Sequence, residues 1–218
     1  MNEKMPVRVL ERVLNDFCVG VLIRLGVPTD DAMIVTDNLI EADLRGVASH
    51  GVVRFPIYVK RLVDGGTNGR PTIKTVRQTR TTAVIDGDNG LGHLVGVRAM
   101  EAAIEKASND DCVFVAVRNS NHFGAAAYYA EMAARNGMIG IVFTIGAINH
   151  MAPGGGAEAI LGNNPFAIAF SASGDFPIVL DMACSVAARG KIIVAAKEGK
   201  PIPSDWATGP EPWTQRRL

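Results

Sequence analysis

Apolar residues recur at helical spacing early in the chain and later give way to short, almost unbroken apolar runs, which predicts a helical start followed by an α/β core. Leu10, Val13, Leu14, Phe17, Val21, Leu22 and Leu25 outline one amphipathic helix that stops at Gly26. Pro28 to Asp31 opens a second, with Thr29 or Asp30 expected as its cap and Ala32, Val35, Leu39 and Ala42 as its apolar stripe before Gly46. Ser49 to Tyr58 predicts a third helical start. Were that helix continuous, His50, Arg54 and Tyr58 would share one face and Pro56 would have to lie in the first turn. Leu62 to Pro71 is rich in turn formers and marks the expected domain boundary. It separates a helical segment over 1–70 from a core over 71–206, with an atypical tail over 207–218.

Thr82 to Ile85 predicts a strand, Asp86 to Gly90 a turn, and Gly96 to Ala107 a helix with Ala99, Ala103, Ile104 and Ala107 inward. Val113 to Val117 has the pattern of a strand buried on both faces. Arg118 to Gly124 breaks it with turn formers, Ala125 to Arg135 is helical and stopped by Gly137, and Met138 to Phe143 reads as a second buried strand. A parallel strand–helix–strand unit of this kind would put His122 at the carboxyl edge of the sheet beside a helix N-terminus, where α/β proteins bind ligands. Thr144 to His150 would share that edge if the two strands are parallel. Pro153 to Gly156 and Gly162 to Pro165 read as loops that match neither G-x-G-x-x-G nor a P-loop. Pro177 to Leu180 is a further strand, ending at the Asp181 carboxylate.

Charge narrows the partners. With 22 basic and 22 acidic residues the chain is formally neutral, so nothing favours nucleic acid or an anionic membrane surface, and small molecules or proteins remain. Cys18, Cys112 and Cys184 are odd in number, widely separated and set among apolar residues, which predicts reduced thiols packed in the core of a cytoplasmic protein. No secretory leader or membrane span is predicted.

Two chemistries are disfavoured. Ser49, His50 and Asp181 supply the residue types of an acyl-transfer triad, but adjacent side chains generally diverge and no G-x-S-x-G elbow exposes the serine. His50, His93, His122 and His150 lack metal-ligand spacing. What remains is His50 or His122 as acid/base with Arg54 as an anion clamp, suited to proton transfer on a small carboxylate-bearing substrate.

The stretches Asp43 to Arg54, Asp86 to Gly92, Asn119 to Gly124, Gly162 to Pro165 and Asp181 to Ala183 are similar, in order, to motifs of the malate/L-lactate dehydrogenase family of non-Rossmann type. That family includes ureidoglycolate and sulfolactate dehydrogenases and Δ1-piperideine-2-carboxylate reductases. The resemblance runs from about Leu10 to Trp206. It implies a three-layer α/β/α fold with a mixed sheet of the sulfolactate-dehydrogenase-like type, preceded by an N-terminal helical segment. It also implies an oxidoreductase that moves hydride between NAD or NADP and a small 2-hydroxy or 2-oxo acid, or a cyclic imino acid, and usually a homodimer.

Carried over by motif, His122 is the family histidine assigned to proton acceptance or to the nicotinamide pocket. His50, with Ser49 beside it and Asp181 as its matching aspartate, is the alternative proton-transfer group, and both assignments stand. Arg54 matches the residue expected to hold the substrate carboxylate, with Tyr58 nearby. His122, Phe123, Gly124, Ala125, Ala126, Thr144, Gly146, Asp181 and Met182 fall at cofactor contacts.

The chain departs from the family pattern in three places. Thr144-Ile145-Gly146 replaces T-N-[AST], and Gly162-Asn163-Asn164-Pro165 replaces G-T-N-P. After Trp206 the sequence to Leu218 is unlike the expected continuation, as a truncated or frameshifted reading frame would produce. The alternatives to an active enzyme are then a catalytically inactive fragment, or a carboxylate-binding protein without redox activity.

Overall fold

The computed structural model describes residues 8–146, 149, 151–154, 156, 158–174, 176–187, 191–192, 195–196 and 199–207. His150, Gly155 and the last eleven positions of the expected tail, 208–218, lie outside the described residues. The chain forms two compact units, 1–128 and 129–218.

In the first unit, α1 (Glu11–Arg24) packs on α2 (Thr29–Leu44). Of the apolar surface expected on α1, Cys18 and Leu22 are buried with Leu14 and Val21 packed alongside, whereas Leu10, Val13 and Phe17 stay exposed. The apolar arc is wider than the face that α2 covers. The stripe of α2 is buried as expected at Ala32, Val35, Leu39 and Ala42. Its cap differs, because Thr29 is already helical and Pro28 occupies the N-cap position, so Asp30 and Asp31 serve only as first-turn charges. α1 ends where Gly26 turns to a φ of +88°, with Gly26 N–H bonded to the Ile23 carbonyl and Val27 N–H to that of Leu22, a Schellman closure.

The next stretch is not one helix. Two 3-10 turns, Ala48–His50 and Val52–Arg54, flank Gly51, and only then does α3 (Phe55–Val63) begin, with Pro56 in its first turn. Asp43 of α2 sets the break: its Oδ2 accepts the Val52 N–H at 2.8 Å, and a Cβ at position 51 would collide with its carboxylate. His50, Arg54 and Tyr58 are therefore brought together by a bent segment rather than by a helical stripe.

β1 (Lys74–Gln78) pairs antiparallel with β2 (Thr82–Asp86), and β2 pairs parallel with β3 (Phe114–Arg118) across α4 (Gly92–Ala107). The mixed sheet is as expected, but its parallel strand–helix–strand unit is β2–α4–β3, one step earlier than the sequence pattern indicated. Turn-rich residues 62–71 run inside this unit, between α3 and β1.

α5 (Ala126–Arg135) leads into the second unit, where β4 (Gly140–Phe143), β5 (Phe166–Phe170) and β6 (Ile178–Met182) form an antiparallel sheet. β3 and β4 thus belong to separate sheets among the described residues and are not the parallel pair that the strand–helix–strand reading expected. A Cβ at Gly140 would fall on the Ala130 carbonyl, which places α5 against the face of this sheet that carries Gly140, Ala167 and Ala169. Opposite residues of an antiparallel pair share a face. The other face is therefore Ile141, Phe143, Phe166, Ile168, Phe170, Ile178, Leu180 and Met182, without one polar side chain. Both strands expected to be fully buried are exposed in part, Phe114 of β3 at 64% and Phe143 of β4 at 69%, because each lies at an edge of its three-stranded sheet. The cysteines also divide: Cys18 is in the core, but Cys112 and Cys184 are exposed, and all three are free thiols.

Candidate active site

The carboxyl ends of β2 and β3 are fastened together by Asp86. Its Oδ2 accepts Arg118 Nε at 3.0 Å, and its Oδ1 accepts the Asp88 N–H at 3.0 Å and Asn119 Nδ2 at 3.2 Å. Those donors, the Asp88 amide first, hold its carboxyl below the usual range. Asn121 ties the following loop down: its Nδ2 donates to the Gly90 carbonyl at 2.9 Å and its Oδ1 accepts Arg61 Nη2 at 2.7 Å. From beneath, the first turn of α4 presses so closely that a Cβ at Gly92 would fall on the backbone of Asn121 and His122.

His122 emerges from this anchored loop. Its Nδ1 lies 2.8 Å from the Tyr58 hydroxyl and 3.3 Å from the Gly124 N–H. A backbone amide can only donate, so Nδ1 is the acceptor, the Tyr58 hydroxyl donates as well, and the ring proton resides on Nε2. His50 stacks on His122 with ring centroids 5.7 Å apart, and Arg54 lies in the same segment as His50 with its Nε donating to the Ser49 carbonyl at 2.5 Å. Desolvation, then the positive charges of Arg54, His50 and Arg61, lower His122 to about 4, although the residue keeps an exposed side. Burial raises the Tyr58 phenol to about 12.

Sequence reasoning passed over His93 except as one of four histidines without metal spacing. It is fully buried in the first turn of α4, with its ring 4.7 Å from that of Tyr58 in an edge-on contact. Burial, then the charges of His122, His50 and Arg54, lower it to about 3. Its position one turn beyond a strand's carboxyl edge was the available signal. Among the described residues no three histidine, cysteine or acidic side chains are placed to hold a metal ion. Ser49 Oγ and His50 Nδ1 come within 3.0 Å, closer than neighbours on an extended backbone, because the 3-10 turn tilts both to one side.

Thr144, Gly146, Asp181 and Met182 belong to the second unit. The Thr144 N–H donates to the Pro165 carbonyl at 3.1 Å and the Gly146 N–H to Asn164 Oδ1 at 3.0 Å, so the two motifs that depart from the family pattern form one knot. A Cβ at position 146 would collide with Asn163 Oδ1, and the glycine makes room for that amide. Asp181 lies within β6, paired with Ala167, rather than beyond the strand's end.

A family model described as malate/L-lactate dehydrogenase matches residues 10–212. The chain belongs to that family. It is 50% identical over 205 residues to a malate dehydrogenase of Pyrococcus horikoshii, covering 94% of this chain and 56% of that protein. It is 49% identical over 189 residues to an L-sulfolactate dehydrogenase of Methanocaldococcus jannaschii, covering 87% and 54%. The fold superposes on a malate dehydrogenase from Entamoeba histolytica with a TM-score of 0.87 at 38% identity, over 91% of this chain and 55% of that one. The chain therefore spans about half the length of these family members.

Proposed function

We propose that this chain is a nicotinamide-dependent oxidoreductase that transfers hydride between NAD or NADP and C2 of a small 2-hydroxy or 2-oxo acid. The observation that carries the reading is His122, held as a single tautomer by Tyr58 and the Gly124 amide in the same unit as Arg54. Family membership supports it.

In this reading Arg54, its Nε bonded to the Ser49 carbonyl, offers its terminal nitrogens to the substrate carboxylate as a paired donor. Neutralising that guanidinium removes one of the charges that depress His122, so the imidazole becomes easier to protonate as substrate arrives. Nε2–H then hydrogen-bonds the C2 oxygen; once the ring is protonated at Nδ1 as well, with the Tyr58 hydroxyl turned to accept from it, Nε2 delivers its proton to that oxygen in reduction and the ring is left neutral with its proton on Nδ1. In oxidation the steps reverse: the ring in its neutral Nδ1–H form, with Nε2 able to accept, takes the hydroxyl proton, or His50 stacked upon it with Ser49 at its Nδ1 does so.

The cofactor, when bound, supplies or accepts the hydride. Phe123, Gly124, Ala125 and Ala126 would hold it at the start of α5, where small side chains leave room for a polar group beside a helix N-terminus. In the second unit, taken by itself, family resemblance marks Thr144, Gly146, Asp181 and Met182 as cofactor positions; the Thr144 and Gly146 amides are engaged, so the Thr144 hydroxyl and backbone carbonyls are the groups those two would offer. The formal neutrality of the chain fits a cytoplasmic enzyme acting on small molecules, and family resemblance makes a homodimer the expected assembly.

The test is oxidation of NADH and NADPH by the purified chain with pyruvate, oxaloacetate, sulfopyruvate and Δ1-piperideine-2-carboxylate, followed by reduced-nicotinamide absorbance. Turnover with any of them supports the reading. The wholly apolar face of the β4–β5–β6 sheet favours a second reading, a catalytically silent portion of such an enzyme, and absence of both turnover and cofactor binding would select it.

A further inference from the structure

Three elements converge on His93. Its own helix, α4, presses Gly92 against the backbone of Asn121 and His122. Its ring meets the Tyr58 ring of α3 edge-on at 4.7 Å. A Cβ at Gly124 would come within 3.2 Å of His93 and would also collide with Asn38 Oδ1, and Gly124, whose φ is +78°, is the residue whose amide reaches His122. The His93 ring therefore meets Tyr58 and leaves no room for a side chain at Gly124, the two residues that donate to His122 Nδ1, and is itself 0% exposed.

Packing alone would be served as well by an aliphatic side chain. An imidazole with both nitrogens lacking a hydrogen-bond partner among the described residues is an expensive filler, and a flat ring is what an edge-on contact with a phenol demands. We propose that His93 is a positioning residue: its flat ring fixes the plane of Tyr58 and the path of the backbone at Gly124, and through them locks His122 in the Nε2–H form. The proposal rests on the reading of His122 as the proton-transfer group, but the lock is a property of the protein without substrate. The groups facing His122 are Tyr58 and Arg54, His50 and Arg61, and none of their charges is altered by exchanging a neutral His93.

The experiment is long-range proton–nitrogen correlation NMR of the full chain labelled with 15N-histidine, titrated with acid, beside His93→Ala and His93→Phe. In the native protein His122 is expected as one tautomer with Nδ1 accepting, and its titration near pH 4. A mixture of tautomers in the native protein overturns the proposal at once. His93→Ala is expected to give mixed tautomers and an upward shift of the His122 midpoint by a unit or more, while His93→Phe, which keeps a flat ring, restores the native signature. A folded His93→Ala with an unchanged His122 spectrum overturns it. Should His93→Ala fail to fold, His93→Phe decides, retention of the tautomer supporting the proposal and its loss overturning it. None of these signals requires turnover, so a chain without dehydrogenase activity would defeat the proposed function and leave this test intact.

Discussion

The Tyr58 hydroxyl donates to Nδ1 of His122 across 2.8 Å, linking residues 64 apart in sequence, and it makes a side chain from the helical start responsible for the protonation state of a loop at a sheet edge. Tyr58→Phe removes that donor and leaves the weaker Gly124 amide at 3.3 Å as the only one of the pair. The expected result is a fall in kcat of about ten- to a hundredfold with KM changed far less, since general acid–base catalysis is worth about 10²–10⁴ and the ring itself remains. Steady-state rates in both directions measure it.

Arg54 acts on His122 through space as well as on substrate. It is the foremost of the charges that lower the imidazole, so Arg54→Gln should raise the His122 midpoint from about 4 toward the ordinary 6.5. An unreactive carboxylate such as oxamate, bound to the native guanidinium, should shift it in the same direction. Histidine NMR titration with and without oxamate checks both; a midpoint that stays put in each case would remove Arg54 from the carboxylate site. Arg54→Lys should raise KM, because an ammonium keeps the charge but loses the fork.

Acid should unfold the first unit through His93. In the unfolded chain this imidazole binds its proton near the ordinary 6.5, whereas burial holds it to about 3 in the fold. Between those values the unfolded state carries more protons, so stability is intact above pH 6.5 and declines as the pH falls toward 3. Each unit of difference is worth about 1.4 kcal/mol. His93→Phe cannot take up a proton, and its Tm should vary less over that window than that of the native chain. Parallel slopes for the two proteins would show that His93 is not the group responsible.

Periodicity located α1, α2, β2, α4 and β3 of the first unit, because the stripe Ala32, Val35, Leu39 and Ala42 and the glycine after each early helix are local signals that burial only confirms, whereas β1, with Val76 as its one apolar residue, carries no such pattern. What it could not show is pairing. Val113 to Val117 and Met138 to Phe143 look alike as apolar runs, yet one pairs in parallel with β2 and the other antiparallel with β5, a choice made by partners distant in sequence. In the site, Arg54, Tyr58, His50 and His122 carried visible chemistry. His93 did not, since a lone histidine among Leu91, Leu94 and Val95 reads as ordinary core until Tyr58 is seen against it.

The two motif departures in the second unit should behave as one change. A side chain at position 146 would collide with Asn163 Oδ1, so Gly146→Ser alone is expected to destabilise, by about 1–3 kcal/mol as overpacking does. Asn163→Thr shortens the side chain that stands nearest, but the Asn163 backbone nitrogen, 2.9 Å from the added Cβ, stays in place, so adding it to Gly146→Ser should recover only part of the loss. A double-mutant cycle by denaturant unfolding gives the coupling, and simple additivity would show that the two positions are independent.

The apolar face of the β4–β5–β6 sheet predicts how the purified chain behaves. Ile141, Ile168 and Leu180 form its middle row, Phe143, Phe166 and Met182 the next, and Ile141, Phe143, Leu180 and Met182 are each at least 45% exposed. A continuous apolar surface of this kind associates in water, and unpaired strand edges extend the association. Sedimentation over a concentration series should therefore show reversible self-association of the native chain. Leu180→Lys puts a charge into the centre of the face without touching the histidine cluster of the first unit, and should weaken association at least tenfold while leaving the His122 tautomer as it was. A native chain that stays monomeric at every concentration, or a Leu180→Lys variant that associates as strongly, would mean that this face does not drive assembly.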